Sequence, residues 1–363
     1  MAMRRRLCVL TLAAAVLFLV LATHSHFLSL TSLPRSPTAA AASPQDSGSH
    51  HASVQPVTSD PRTRPPPDAL ERKQEAEKRS CGCDSCVSDV SSSDWFKQRF
   101  DPEKRPILTQ NQTIDPQALS WWMSLQRSGN GRSLQEVISE LFKVIAPPPE
   151  PQKPRPSLCR TCAVVGNSGN LRNSGYGRLI DSHQSVLRMN RAVTWGFERD
   201  VGNRTTHHFL YPESAVDLPP RVHLVLVPFK IRDLEWVRSA LTTGNITMTY
   251  MRVKDRVSAD PDRVLVLSPE FFRYVHERWT QNHGRYPSTG LIAVIYALHT
   301  CDRVSVFGFG ADGHGDWHHY WEQNRFAGAF RKTGVHNGEY ETSILQRLNQ
   351  DGKVHLYPGL NQD

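Results

Sequence analysis

No stretch of twenty consecutive apolar residues occurs in this 363-residue chain, so nothing in it matches the usual length of a bilayer-spanning helix. No basic helix and no stripe alternating aromatic with basic residues accompanies the net charge of +8, which argues against nucleic acid as a partner. Lys and Arg are instead scattered and mostly matched by Asp or Glu, the pattern of a basic globular protein that handles small anions. The hydrophobic fraction is 39%, enough for a sizeable core once the N-terminal tail is set aside. Length alone would allow two domains, but the first 156 residues read differently from the rest, giving one large globular domain with N-terminal accessories.

The nearest approach to a membrane span lies at the N-terminus. Arg4-Arg5-Arg6 precede an apolar run over 7–22, interrupted only by Thr11, with Phe27-Leu28-Ser29-Leu30 beyond it. Sixteen residues is short for a span and slightly long for a signal-peptide core, and no small-x-small cleavage site follows. The expectation is an uncleaved signal-anchor over 7–30, with residues 1–6 cytosolic and the remainder luminal; a cleaved signal peptide is the alternative. So short a span suits the thinner membranes of the early secretory pathway. Residues 31–80, rich in Ala, Ser and Pro, bury too little apolar surface to offset chain entropy and read as a disordered stem. The domain proper is expected over 81–363.

Cysteine usage agrees with a lumen. Cys8 falls in the apolar run, leaving Cys81, Cys83, Cys86, Cys159, Cys162 and Cys301, an even set. Their spacings superficially allow a zinc site or a redox pair, but behind an anchor structural disulfides are the better reading. Asn111, Asn203 and Asn245 each begin an N-glycosylation sequon.

Periodicity then gives the fold. Helical patterns run over 115–126, with Leu119, Trp122 and Leu125 on one face, and from a capping box at Ser133-Leu-Gln-Glu136. Trp121 and Trp122 read as core, with Gln126 beyond them able to reach a ligand. After Cys162, strands are expected over 163–165, 185–189, 208–211, 222–227, 264–267, 304–307 and 354–357. Helices are expected over 233–241, 269–280, 289–299 and 342–350. This alternation predicts a mostly parallel, twisted sheet flanked by helices, a single Rossmann-like α/β domain whose ligand lies beyond the carboxyl ends of the strands.

Three turns fall on that rim. Gly166-Asn167-Ser168-Gly169-Asn170 follows the first strand, where backbone N–H groups could cradle a phosphate and Asn167 could bond a ribose or base edge. Ser288 or Thr289 caps the helix after Arg285-Tyr286-Pro287, and Gly308-Phe309-Gly310 ends another strand. Downstream stand two histidine patches, His318-His319-Tyr320-Trp321-Glu322 and Gly334-Val335-His336, with Glu341 following. A lone His is usually structural; two after glycine-rich strand ends point to proton transfer.

Asp260-Pro-Asp262 matches the Asp-x-Asp pattern that holds a hard cation against a diphosphate, but it precedes an expected strand rather than ending one and reads as a loop. His314, His318 and His319 near Asp312 and Asp316 fit no common zinc spacing, so no metal is expected.

Residues 162–206, 283–310, His319-Tyr-Trp-Glu322 and His336 with Glu341 resemble the large, small, third and very small sialylmotifs of animal sialyltransferases, over about Cys81 to the C-terminus. Cys-x-Cys-x-x-Cys at 81–86, Trp-Trp-x-x-x-Gln126 and His-Gly-Arg-Tyr-Pro-Ser-Thr-Gly at 283–290 look most like the β-galactoside α-2,3-sialyltransferases acting on Galβ1-3GalNAc. The resemblance implies a glycosyltransferase A-like variant of the fold, CMP-N-acetylneuraminic acid as donor, terminal galactose on glycoproteins or glycolipids as acceptor, and no cofactor. It implies Asn167, Ser168, Asn190, Ser288, Thr289, Gly290 and Gly310 around the nucleotide, and His319 at the departing phosphate. Gln126, Tyr250 and Tyr286 would line the cleft, with His336 as the base on galactose O3. It further implies the pairs Cys81–Cys86, Cys83–Cys159 and Cys162–Cys301, and a single-pass type II Golgi membrane protein; homo-oligomerisation and release by stem cleavage are left open. Glu341 would orient the imidazole or cap the following helix. The competing readings are a metal-dependent Golgi glycosyltransferase using another donor and a membrane-anchored glycan-binding protein.

Overall fold

A computed structural model describes residues 80–126, 131–311, 317–323 and 334–359, all within the unit Arg64–Asp363. The expected tail, signal-anchor and stem up to residue 79, with Cys8, lie outside the described residues, as do Asp312, His314 and Asp316. Among the described residues, no helix is long and apolar enough to cross a membrane.

Seven strands form one sheet: β1 (Thr161–Val165), β2 (Ser185–Met189), β3 (His207–Leu210), β4 (His223–Leu226), β5 (Val264–Val266), β6 (Arg303–Phe307) and β7 (His355–Tyr357). Their order is β5-β4-β3-β2-β1-β6-β7, and every pairing is parallel. Alternate side chains of β1 enter different cores: Cys162 and Val164 join the larger one, Ala163 and Val165 the smaller. A strand buried on both faces needs near-continuous apolar residues, and the run Cys-Ala-Val-Val supplies them.

The helices follow from equally local causes. They run α1 (Asp94–Arg99), α2 (Pro116–Leu125), α3 (Leu134–Leu141), α4 (Gly177–Asp181), α5 (Glu198–Val201), α6 (Ile231–Leu241), α7 (Pro269–Tyr274), α8 (Thr289–Thr300) and α9 (Gly338–Gln350). Asp115 caps α2 from its side chain, and Ala118, Trp122 and Leu125 bury one face of it. The indole of fully buried Trp122 donates to the Pro228 carbonyl (2.8 Å), so this Trp is core. Ser133 and Glu136 make the expected capping box of α3. Helix α8 is buried along Leu291–Leu298 and packs across β1, β2 and β3, which suits a segment apolar all round.

One expected helix differs. The pattern over 269–280 predicts a continuous helix, whereas α7 gives way to a wider π turn over Val275–Trp279. Thr280 N–H closes that turn on the Val275 carbonyl (3.0 Å), and Trp279 stays fully buried against Trp95 and Phe96. Tertiary packing of a large indole overrides the local period.

Disulfides join Cys81 to Cys86, Cys83 to Cys159 and Cys162 to Cys301. The last ties the start of β1 to the residue two before β6.

Candidate active site

The chain steps from β1 outward to β5 and then returns to place β6 on the other side of β1. A crevice must open where the connections diverge, between the carboxyl ends of β1 and β6. There the two following turns touch. Gly166 N–H donates to the Phe307 carbonyl (2.7 Å) and Ser168 N–H to the Gly308 carbonyl (3.1 Å). A Cβ on Gly166 would stand 2.2 Å from the Gly308 oxygen, so only glycine admits this approach.

Above the crevice lies a cavity of about 300 Å³, and all twelve residues expected at the donor and acceptor sites line it: Gln126, Asn167, Ser168, Asn190, Tyr250, Tyr286, Ser288, Thr289, Gly290, Gly310, His319 and His336. Asn167 Nδ2 donates to the Met189 carbonyl (3.1 Å), tying the β1 turn to β2. Asn190 sits in the left-handed region (φ 57°), and its carbonyl accepts from His208 Nε2 at 2.6 Å. Burial pushes that imidazole down to about 4, so it is neutral and donates. The buried Oδ1 atoms of Asn167 and Asn190 have no hydrogen-bond partner among the described residues. Two unsatisfied acceptors on one wall call for a ligand that brings N–H or O–H donors.

On the adjoining wall, Ser288 caps α8 and accepts from Leu291 N–H (3.1 Å). Glu341, on the first turn of α9, accepts from Ser288 N–H (2.8 Å) and from its hydroxyl (2.5 Å). Burial pushes this carboxyl up to about 7 despite both donors. Of the two roles open to Glu341 from sequence, neither describes these contacts; it steadies the cap of α8, the helix whose positive end faces the cavity.

The imidazoles are each held by Nδ1. His336 Nδ1 lies 2.8 Å from the Tyr286 carbonyl, and a carbonyl can only accept, so the proton resides on Nδ1 and Nε2 carries the basic lone pair of the neutral ring. Burial lowers the His336 pKa from the ordinary imidazole value, partly offset by that bond. His319 Nδ1 donates to Glu322 Oε1 (2.9 Å), and its ring stacks on Trp321 at 4.5 Å. The neighbouring chain is clamped to the β1 turn, with Gly169 N–H on the His318 carbonyl and Tyr320 N–H on the Asn167 carbonyl.

The far wall is aromatic: Tyr211, Phe229, Tyr250 and Tyr286, with Gln126 from the C-cap of α2. Phe229 and Tyr286 pack at 4.9 Å, and the Tyr286 and His336 rings meet edge to face at 5.0 Å. Behind this wall is a residue the sequence reading overlooked. Lys230, almost fully buried, donates to Gln126 Oε1 at 2.7 Å. The available signals were its place four residues past β4 and its i,i+3 spacing from Asp233.

Asp260 and Asp262 lie away from the cavity. Asp260 caps the 3-10 turn Pro261–Arg263 that leads into β5, accepting from Asp262 N–H. Among the described residues, no group of three or more His, Cys, Asp or Glu is placed to hold a metal ion. Asn111, Asn203 and Asn245 are all exposed.

Fold and site together define a Rossmann-like α/β protein with a cavity of about 300 Å³ at the switch point of its sheet, edged by His318, His319, His336 and a helix N-terminus. A family model described as glycosyltransferase family 29 (sialyltransferase) matches residues 107–353, and the chain belongs to that family. Among curated relatives, the mouse CMP-N-acetylneuraminate-beta-galactosamide-alpha-2,3-sialyltransferase 2 is 52% identical over 77% of this chain and 81% of its own. The human CMP-N-acetylneuraminate-beta-galactosamide-alpha-2,3-sialyltransferase 1 is 49% identical over 77% and 83%. Among solved structures, a mammalian sialyltransferase superposes with a TM-score of 0.71 at 45% identity, covering 77% of this chain and 99% of that one. The same comparison with a mammalian sialyltransferase in complex with Gal-beta-1-3GalNAc-ortho-nitrophenol gives 0.70, with equal identity and coverage.

Proposed function

We propose that this chain is an inverting sialyltransferase that moves sialic acid from CMP-N-acetylneuraminic acid to O3 of galactose in Galβ1-3GalNAc glycans. The observation that carries the reading is one cavity in which His336, protonated on Nδ1 and basic at Nε2, shares the lining with a nucleotide-type cradle, in a chain 45% identical to a structure bound to Gal-beta-1-3GalNAc-ortho-nitrophenol.

The unpaired oxygens of Asn167 and Asn190 would accept from cytidine hydroxyl or amino groups. As galactose O3 attacks C2 of the sialic acid, its proton passes to His336 Nε2. The C2–O bond to the phosphate breaks on the opposite face, its electron pair leaving with CMP, and the anomeric centre inverts. His319 and the N-terminus of α8 stabilise the charge gathering on that phosphate. A phosphate monoester is a good enough leaving group for this without a metal, and the carboxylate of the sugar offsets positive charge on its ring.

The sheet is read as a single-domain variant of the glycosyltransferase A arrangement. We further place the domain in the Golgi lumen behind a single-pass type II anchor, a reading supported by the three disulfides and the exposed sequons. The test incubates the full chain with labelled CMP-sialic acid and a panel of galactosides, with and without EDTA. The expected outcome is label on galactose O3 of Galβ1-3GalNAc with equimolar CMP, undiminished by EDTA. No transfer to any galactoside would overturn the reading, and loss with EDTA would favour a metal-dependent transferase.

A further inference from the structure

The aromatic wall of the cavity is assembled from chain segments far apart in sequence, and two of them meet at one amine. Lys230 Nζ donates to Gln126 Oε1 at 2.7 Å and lies 5.0 Å from the centroid of the Tyr250 ring. Gln126 ends α2, whereas Tyr250 rides on the 248–252 turn and is otherwise mostly exposed. The amine is enclosed by carboxylates, with Asp233 Oδ1 at 2.7 Å and Glu213 Oε1 at 3.8 Å, both side chains buried. Thr249 donates to Glu213, which ties the 248–252 turn to the same cluster.

This arrangement fixes which end of Gln126 meets the cavity. An ammonium has only donors, so the amide must turn its oxygen toward Lys230 and its NH₂ the other way. Lys230 occupies one side of the Tyr250 ring. A polyhydroxylated sugar with an apolar face would meet an amide donor at Gln126 and a preoriented ring at Tyr250.

We propose that Lys230 is the positioning residue for the galactoside acceptor, acting through Gln126 and Tyr250 without touching substrate itself. The inference rests on the functional reading above and deepens it. It separates acceptor binding from donor binding, because neither residue that Lys230 holds belongs to the β1, β2 or α8 rim.

The test uses the full chain with K230M and, because that change strands a buried Asp233 carboxylate, K230M/D233N, with the melting temperature of each recorded. Both should raise the KM for Galβ1-3GalNAc between about tenfold and a hundredfold, the usual effect of a misplaced contact. The KM for CMP-sialic acid and the acceptor-free release of CMP should stay within about twofold. Adding Q126L to K230M/D233N should cost little more, since both changes disable the same amide. Parallel rises in both KM values, an unchanged acceptor KM, or full additivity with Q126L would each overturn the assignment of Lys230. Absence of transfer by the parent chain to any galactoside would instead sink the functional reading and this inference together.

Discussion

His336 is defined by what holds it. One ring nitrogen is committed to the Tyr286 carbonyl, so the other alone can take a proton, and burial keeps the ring neutral further into acid than an exposed imidazole. A base must be unprotonated to act, so the acidic limb of kcat against pH should fall below 6.5, the ordinary value for the group. H336A should lower transfer by at least about 10²-fold, the lower bound for general-base help, while CMP binding measured by calorimetry stays unchanged. Retained turnover would remove His336 from the role. Both histidines were legible in the sequence because they follow glycine-rich turns beyond the expected strands. Lys230 was not, since a lysine near the start of an amphipathic helix ordinarily lies in solvent, and only tertiary packing from Glu213 and Gln126 buries it.

Between elements, the contact of Ser288 with Glu341 couples the start of α8 to the start of α9. Glu341 titrates near 4.5 when unfolded and at about 7 in the native protein, so the native state holds its proton over a range where the unfolded chain has lost it. Stability is therefore highest below about pH 4.5 as far as this group is concerned, declines as pH rises through that window, and is fully reduced above about 7. The loss should approach about 3 kcal/mol at 1.36 kcal/mol per unit. E341Q cannot ionise, yet its amide can still accept from Ser288 N–H and donate to the hydroxyl, so its stability should be nearly flat over the same window. Urea unfolding at pH 5 and pH 8 checks this, and a parent protein equally stable at both would contradict it once other titrating groups are subtracted using E341Q. At this scale all seven strands were readable: the inner ones because segments buried on both faces leave apolar runs bounded by turn residues, and the partly exposed β7 from its short apolar run before Pro358. The short helices α4 and α5 were not, since one turn carries no period, and the π turn after α7 was set by packing around Trp279.

For the molecule as a whole, the cavity depends on β6 returning beside β1, the longest-range pairing in the sheet's centre, and Cys162–Cys301 fastens that return across 139 residues. Constraint of the unfolded chain grows with the enclosed loop, so this bridge should contribute about 5 kcal/mol by the loop-entropy relation, against about 2 kcal/mol for Cys81–Cys86, whose partners are 5 residues apart. The two losses should also differ in kind. C162S/C301S loosens the junction where Gly166 and Gly308 touch, so CMP binding should weaken along with stability, whereas C81S/C86S should leave it intact. Guanidinium unfolding and CMP titration of both double variants provide the measurement. Equal destabilisation would mean that native packing or residual unfolded structure dominates over loop length. Unchanged CMP binding in C162S/C301S would mean that the parallel pairing of β1 and β6 holds the cradle without the covalent tie.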